Sequence, residues 1–385
     1  MSSLTPESAQ DLAAALQDAA AKARTVTVIG NNSKHLMAGP SAPADIVIST
    51  ARLNRILQYE PHDLTISVDA GMRWADLQDT LARRGQMIAL DPPFHEQATV
   101  GGIVASNSSG PLRKGYGTAR DLIIGMRFAM LDGKLVPTGG MVVKNVAGLD
   151  IGKLIIGSFG TLAAITSVNF RLHALPEETN SFLFSFPDLD AVLRKRDALL
   201  QSVLRPLAVD ILSPPAAARV GSRGYLLAIR AGGSRRVLDR YARDLSGSEQ
   251  LCGSEDHAFW SQIREFPAEF LHRQPGGIVL RVCTSLSDLG KLLRLTSSTS
   301  LTRAASGVSY IYFGAWQQVP AFWQSITGEG WPAVIEYAPE QVRSQRKLWL
   351  TSESNEERAF AMMKSIKAMF DPHSLLNRSR LYGRI

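Results

Sequence analysis

The chain has 385 residues, and at roughly 100 to 200 residues per domain this predicts two or three domains, each able to bury its own core. Hydrophobic residues make up 45% and charged residues 20%, an ordinary globular composition that excludes a disordered or collagen-like chain. The net charge of +7 is spread among acids rather than gathered into a tract, which points to small anionic ligands and away from nucleic acid.

Cys252 and Cys283 are the only cysteines and lie far apart. They exclude an iron–sulfur cluster bound by this chain alone and argue against a secreted disulfide framework, so a reducing cytoplasm is the expected compartment. The segment 1–24 is acidic and Ala-rich, without the basic start and apolar run of a signal peptide, and is expected to belong to the mature fold. No stretch reaches the ~18 consecutive apolar residues of a membrane span, so any membrane contact is expected through a partner.

Pro6 and Glu7 open a predicted helix whose Leu12, Leu16 and Ala19 share one face, followed by a buried strand through Val26, Val28 and Ile29. Gly30, Asn31, Asn32, Ser33 and Lys34 then interrupt the chain before a second strand at 45–48. The pattern predicts a strand at 64–68, a helix at 73–84 ended by Gly85, a hairpin turning at Asp132 and Gly133, and a strand at 163–172. The first domain is expected to close near Leu175. The polar stretch Pro176 to Asn180 marks the boundary, and beyond it strands at 181–186, 208–212, 225–230 and 278–283 alternate with helices at 188–200, 235–245 and 287–295, a second α+β domain. A last helix from Glu356 to Met369 and a tail too short to fold alone must dock onto earlier structure.

The informative motifs are rich in glycine and lie in the first half. Gly30 to Lys34 follows a strand, where successive backbone N–H groups can form a nest for phosphate oxygens, although turn chemistry alone would also explain it. A second cluster runs from Pro93 through Thr99, Val100, Gly101 and Gly102 to Ser106, Asn107 and Gly110, with Tyr116 beyond it. Its small residues let backbone approach a flat ligand, or serve tight helix packing. A third comprises Lys144, Asn145, Val146, Ala147 and Gly148, then Gly157, Gly160, Thr161 and Ile165. No G-x-G-x-x-G follows a strand, and Gly148 to Lys153 is one residue short of a P-loop and lacks its Ser or Thr. A Rossmann fold and a P-loop NTPase are therefore excluded.

Together, Gly30 to Lys34, Ala98 to Gly102, Val143 to Asp150, Gly157 to Leu162 and the tail Phe370 to Asn377 resemble the PCMH-type FAD-binding domain of the vanillyl-alcohol oxidase and p-cresol methylhydroxylase superfamily. Within it the likeness is greatest to the FAD-binding subunits of bacterial glycolate oxidases. It covers roughly the first half of the chain and the tail. The resemblance implies an α+β fold: a FAD-binding domain of two α+β subdomains (1–175), a smaller α+β cap (176–339), and a C-terminal helix and tail (340–385) that return to the FAD domain. It also implies that Gly30 to Lys34 hold the pyrophosphate, and that Gly101, Gly102, Ser106, Asn107 and Gly110 line the cofactor channel. Lys144 to Gly148 would lie along the channel, Gly160, Thr161 and Ile165 would contact the adenine or ribitol portions, and Asn377 and Arg380 would approach the flavin from the tail.

Some relatives attach FAD through a histidine of the pyrophosphate loop, where this chain has Ser33, with His35 two residues on. Non-covalent FAD is therefore expected. The clustered cap histidines of the catalytic subunits that oxidise 2-hydroxy acids have no counterpart, since His257 and His272 are isolated. The tail reads Asn377-Arg378-Ser379-Arg380 where relatives commonly carry Pro-Gly after the Asn. Arg343, Arg346, Arg380 and Arg384 are candidate carboxylate partners, with a solvated surface as the alternative. The aromatic run from Tyr310 to Trp323 reads more simply as core than as a site.

The implied function is the FAD-binding subunit of a glycolate-oxidase-type 2-hydroxy acid dehydrogenase, working with a larger flavoprotein subunit and a separate iron–sulfur subunit. No catalytic base is assigned. A scaffold subunit whose flavin is structural, and a free-standing oxidase of another alcohol or sugar acid, are the alternatives.

Overall fold

The computed structural model describes residues 2–141, 150–350 and 353–385, with side chains from 356 onward in the last stretch. Contacts divide the chain into two compact units, one made of Met1–Ser109, Gly117–Leu175 and Glu357–Ile385, the other of Gly110–Tyr116 and Pro176–Glu356.

The first unit contains two main sheets. β1 (Ser2–Leu4), β2 (Val26–Ile29) and β3 (Ile46–Ser49) form a parallel sheet in the order β1-β3-β2. The short β1 corrects the expectation that the acidic, Ala-rich segment 1–24 is helical from its start. Helix α1 (Ala9–Ala21) begins only after Ser8, whose hydroxyl caps the Asp11 N–H at 3.0 Å. Leu12, Leu16 and Ala19 of α1 are fully buried and pack with Val26, Ile46 and Ile48, so the helical spacing supplies one side of this core.

The second sheet is antiparallel. β4 (Ile56–Glu60), β5 (Thr65–Asp69), β7 (Ile123–Ala129), β8 (Leu135–Gly139) and β9 (Ala164–Arg171) run in the order β4-β5-β9-β7-β8, while β6 (Gln86–Met87) pairs with β10 (His173–Ala174). The Asp132-Gly133 turn joins β7 and β8 as its sequence predicts, with Gly133 at φ +81°. Helix α2 (Trp74–Ala82) buries Trp74 edge-on against Phe170, the ring centres 6.1 Å apart.

The tail completes the parallel sheet. Leu376 bridges Val26 in parallel, the Val26 N–H donates to Leu375 at 2.8 Å, and the Asn377 N–H donates to Val26 at 2.9 Å. A buried ion pair holds this arrangement. Lys367, on the C-terminal helix Glu353–Phe370, donates to the Asp371 carboxylate and to the carbonyls of Thr161 (2.7 Å) and Leu376 (2.9 Å). Asp371 also accepts the Leu375 and Leu376 N–H groups at 2.9 and 2.8 Å. Both side chains are buried, and burial pulls the Lys367 ammonium below its ordinary value while Asp371 opposes that pull.

Among the described residues, the second unit is built on one antiparallel sheet of nine strands. It contains β11 (Glu178–Phe186), β12 (Ala208–Leu212) and β13 (Tyr225–Gly233), and continues through Thr299–Arg303, Val308–Phe313 and Ile278–Cys283. Helix α3 (Val100–Ser106) lies in the first unit; in the second, helices α4 (Leu189–Gln201) and α5 (Arg235–Asp244) cover one face, where Val192, Leu199, Leu238 and Tyr241 pack on Phe182, Val209 and Ile229. The strands and helices that periodicity predicts here appear within a few residues of their expected limits. The 20-residue helix α6 (Ser254–Arg273), with Pro267 inside it, carried no comparably clean pattern.

Replacing Lys367 with Met should leave Asp371 buried without its cation and destabilise the first unit by about 3 to 5 kcal/mol. Urea unfolding checks this, and a loss under about 0.5 kcal/mol would show that the pair does not hold the tail.

Candidate functional site

The first unit carries an open, polar cleft at the C-terminal end of β2. The chain leaves β2 at Ile29 and turns through Gly30, Asn31, Asn32, Ser33 and Lys34, all of which line the cleft. Gly30 is required by a close approach, because a Cβ there would come within 2.1 Å of Thr99 Oγ1. Thr99 caps the N-terminus of helix α3 (Val100–Ser106), its hydroxyl accepting the Gly102 N–H at 3.3 Å. Gly102, Ala105 and Ser106 form the opposite wall.

The tail closes the third side. Asn377 Oδ1 accepts the Val28 N–H at 2.7 Å, and Nδ2 donates to the Phe159 carbonyl at 2.8 Å. One amide thus ties β2, the tail and the 157–160 turn together. Gly160 has φ +71°, and a Cβ on it would lie 2.5 Å from Asn377 Nδ2. Arg380 lines the same cleft and donates to the Gly39 carbonyl at 2.6 Å. An adjoining, more apolar cleft shares Val28, Gly30, Gly102 and Asn377 and adds Gly101, Gly160, Ala163, Ala164 and Ile165.

Most of the predicted cofactor residues are thus brought together: Gly30 to Lys34, Thr99, Gly101, Gly102, Ser106, Gly160, Ile165, Asn377 and Arg380 line one of the two clefts. Others are not part of that lining. Val100 is fully buried in α3, Pro93 is buried before the Phe94 turn, and Asn107 ends α3 at φ +48°. Gly157 donates to the Val104 carbonyl at 3.1 Å, and Thr161 accepts from Lys367. Gly110 and Tyr116 belong to the second unit, where the neighbouring Gly115 N–H donates to the Leu207 carbonyl at 3.1 Å. Lys144, Asn145, Val146, Ala147 and Gly148 lie outside the described residues. His35 is exposed, with its ring 3.2 Å from the Asn32 carbonyl, and is absent from the cleft lining.

The second unit contains a polar cluster that sequence reading missed. On the sheet face opposite α4 and α5, Asp210 sits across from Arg303, and Tyr310 sits across from Arg281. Asp210 is ion-paired to Arg303, and Arg281 to Glu336 at 2.6 Å. Glu336 holds the Arg281 guanidinium firmly charged. Burial raises Tyr310 and Tyr312, and it raises the Asp210 carboxyl to about 6 in spite of Arg303. Among the described residues, Asp210 Oδ1 and the Tyr312 hydroxyl find no hydrogen-bond partner. The available sequence signal was a single charge inside an otherwise apolar strand, as at Asp210 in Ala208–Leu212 and Arg281 in Ile278–Cys283. Of the arginines singled out from sequence, Arg343 is buried and bonded to the Ala338 carbonyl, and Arg346 lies over Trp316.

Residues 3–139 match the family model "FAD binding domain", and residues 344–381 match "FAD linked oxidases, C-terminal domain". The chain is 30% identical over 241 residues to glycolate oxidase subunit GlcE of Escherichia coli, covering 62% of this chain and 63% of that protein. It is 23% identical over 397 residues to glycolate oxidase subunit GlcD of Bacillus subtilis, covering 93% and 84%. Among solved structures it is similar to p-cresol methylhydroxylase, with a TM-score of 0.78 at 14% identity, covering 99% of this chain and 88% of that one. It is also similar to 4-ethylphenol oxidase of Gulosibacter chungangensis, with a TM-score of 0.76 at 15% identity, covering 99% and 89%. The structural likenesses establish the fold.

Two predictions follow from this geometry. Gly160→Ala should displace the Asn377 amide and lower the flavin bound per chain by at least about threefold, read from the visible to ultraviolet absorbance ratio; undiminished flavin would separate this turn from the site. Between about pH 4 and 6 the folded state keeps a proton on Asp210 that the unfolded chain releases, so rising pH removes up to roughly 3 kcal/mol of stability. Asp210→Asn abolishes that dependence. The Tm of the native chain minus that of the variant should therefore be larger near pH 4.5 than near pH 7, and an equal difference at both would contradict the raised carboxyl.

Proposed function

Because the chain belongs to the PCMH-type FAD-binding superfamily, we propose that it binds FAD without a covalent link as the flavin subunit of a 2-hydroxy acid dehydrogenase of the glycolate oxidase type. The observation that carries the reading is the cleft where Gly30 to Lys34, the wall of α3, Asn377 and Arg380 converge. Its chemistry fits the cofactor. Lys34 and Arg380 supply positive charge and Asn31, Asn32 and Ser33 supply polar groups suited to a diphosphate, while Ala163, Ala164 and Ile165 offer apolar surface suited to a ring. Ser33 lines the cleft where a covalently attaching histidine would be needed, which supports non-covalent binding.

When bound, FAD would supply the hydride-accepting chemistry. The residues of this chain would hold and orient it. Asn377 keeps the tail and the 157–160 turn in register with β2 through its three-way amide contacts. In the second unit Glu336 and Asp210 hold Arg281 and Arg303 within the buried sheet face. The larger flavoprotein subunit and the iron–sulfur subunit would be separate chains.

The test is anaerobic addition of glycolate or D-lactate to the chain purified with its native partners. Loss of the oxidised flavin spectrum is expected. Retained flavin that no 2-hydroxy acid or other alcohol reduces would overturn the dehydrogenase reading and leave a flavin-stabilised scaffold.

A further inference from the structure

The C-terminal helix Glu353–Phe370 buries one face through Phe360 and Lys367, and another is left uncovered among the described residues. On the uncovered face, Met362 and Met369 are 67% and 78% exposed, seven residues apart. Ala361, Ser365 and Ala368 lie exposed between and beside them, so the stripe runs over two turns without a charge. Ala368 and Lys364 also line an open groove of about 360 Å³, whose other walls include Pro372, Arg378 and Arg384. An apolar helix face and a cationic groove are therefore continuous. From Lys364 to the end, five Lys or Arg residues face one acid, Asp371, which is committed to Lys367 inside the fold.

We propose that this surface docks a partner protein through an acidic helix with an apolar face. Its apolar side chains would cover Met362, Ala368 and Met369, and its carboxylates would meet Lys364, Arg378 and Arg384. Charge decides against a second copy of the chain, because a two-fold interface would set the same cations against each other. Shape argues against a lipid surface, because the groove of about 360 Å³ beside the stripe accepts a protruding segment that a planar headgroup layer would leave empty. The surface suits the assembly with partner subunits proposed above, but it does not depend on the flavin reaction: flavin content and partner contact are read separately.

The test places the photo-crosslinking residue p-benzoylphenylalanine at Met369 in the full chain, expressed in its native cell, with a control at Val237, which is 42% exposed in the second unit. Irradiation should give an adduct at Met369 and not at Val237, and mass spectrometry should map it to an acidic, apolar-faced helix of a different protein. Lys364→Glu should reduce that adduct by about fivefold or more while leaving flavin content unchanged. Adducts to lipid, to a second copy or to a basic segment would overturn the proposal. So would equal yields at both positions, no adduct, or a yield indifferent to Lys364→Glu.

Discussion

The buried ion pair between Lys367 and Asp371 is the constraint on which the first unit depends. Neither group could enter the interior alone, since an unpaired buried charge costs several kcal/mol. Together with the carbonyls of Thr161 and Leu376 and the N–H groups of Leu375 and Leu376, they form a closed set of hydrogen bonds. That set fixes the path of the chain from the helix end to Asn377. Asn377 then has one position available, beside Val28 and Phe159, and the cleft acquires its third side. The cleft is thereby assembled from segments as far apart in sequence as Gly30 and Arg380.

How much of this was legible in sequence differs by element. Where one face of an element is apolar, periodicity marks it, as with Leu12, Leu16 and Ala19 or the strand at 208–212. The glycine clusters were legible for a related reason: Gly30 tolerates no Cβ beside Thr99, and Gly160 none beside Asn377, so the composition of those turns records a close approach. The clamp was not legible. Lys367 and Asp371 are an i, i+4 pair of the kind usually found on a solvated helix face, and nothing local says that this one is buried.

The second unit shows the same limit. Arg281, Arg303, Asp210 and Glu336 are separated by up to more than a hundred positions, and only the register of the strands brings them to one face. Asp256 is similar: α6 presents it, fully buried, to Arg230 at 2.7 Å and to Thr179 at 2.7 Å. Polar residues at alternating strand positions read as solvent-facing until the pairing is known. The arginines near the C-terminus are candidate carboxylate partners by their chemistry alone, yet Arg343 is bonded within its own turn.

The central claim is that the cleft beside β2 holds FAD by non-covalent contacts. The most direct measurement is the visible spectrum of the purified protein and of its supernatant after acid precipitation. The account predicts a flavin spectrum on the protein that passes wholly into the supernatant. Colour that stays with the precipitate would contradict the non-covalent assignment, and a protein that remains colourless after incubation with FAD would contradict the site itself.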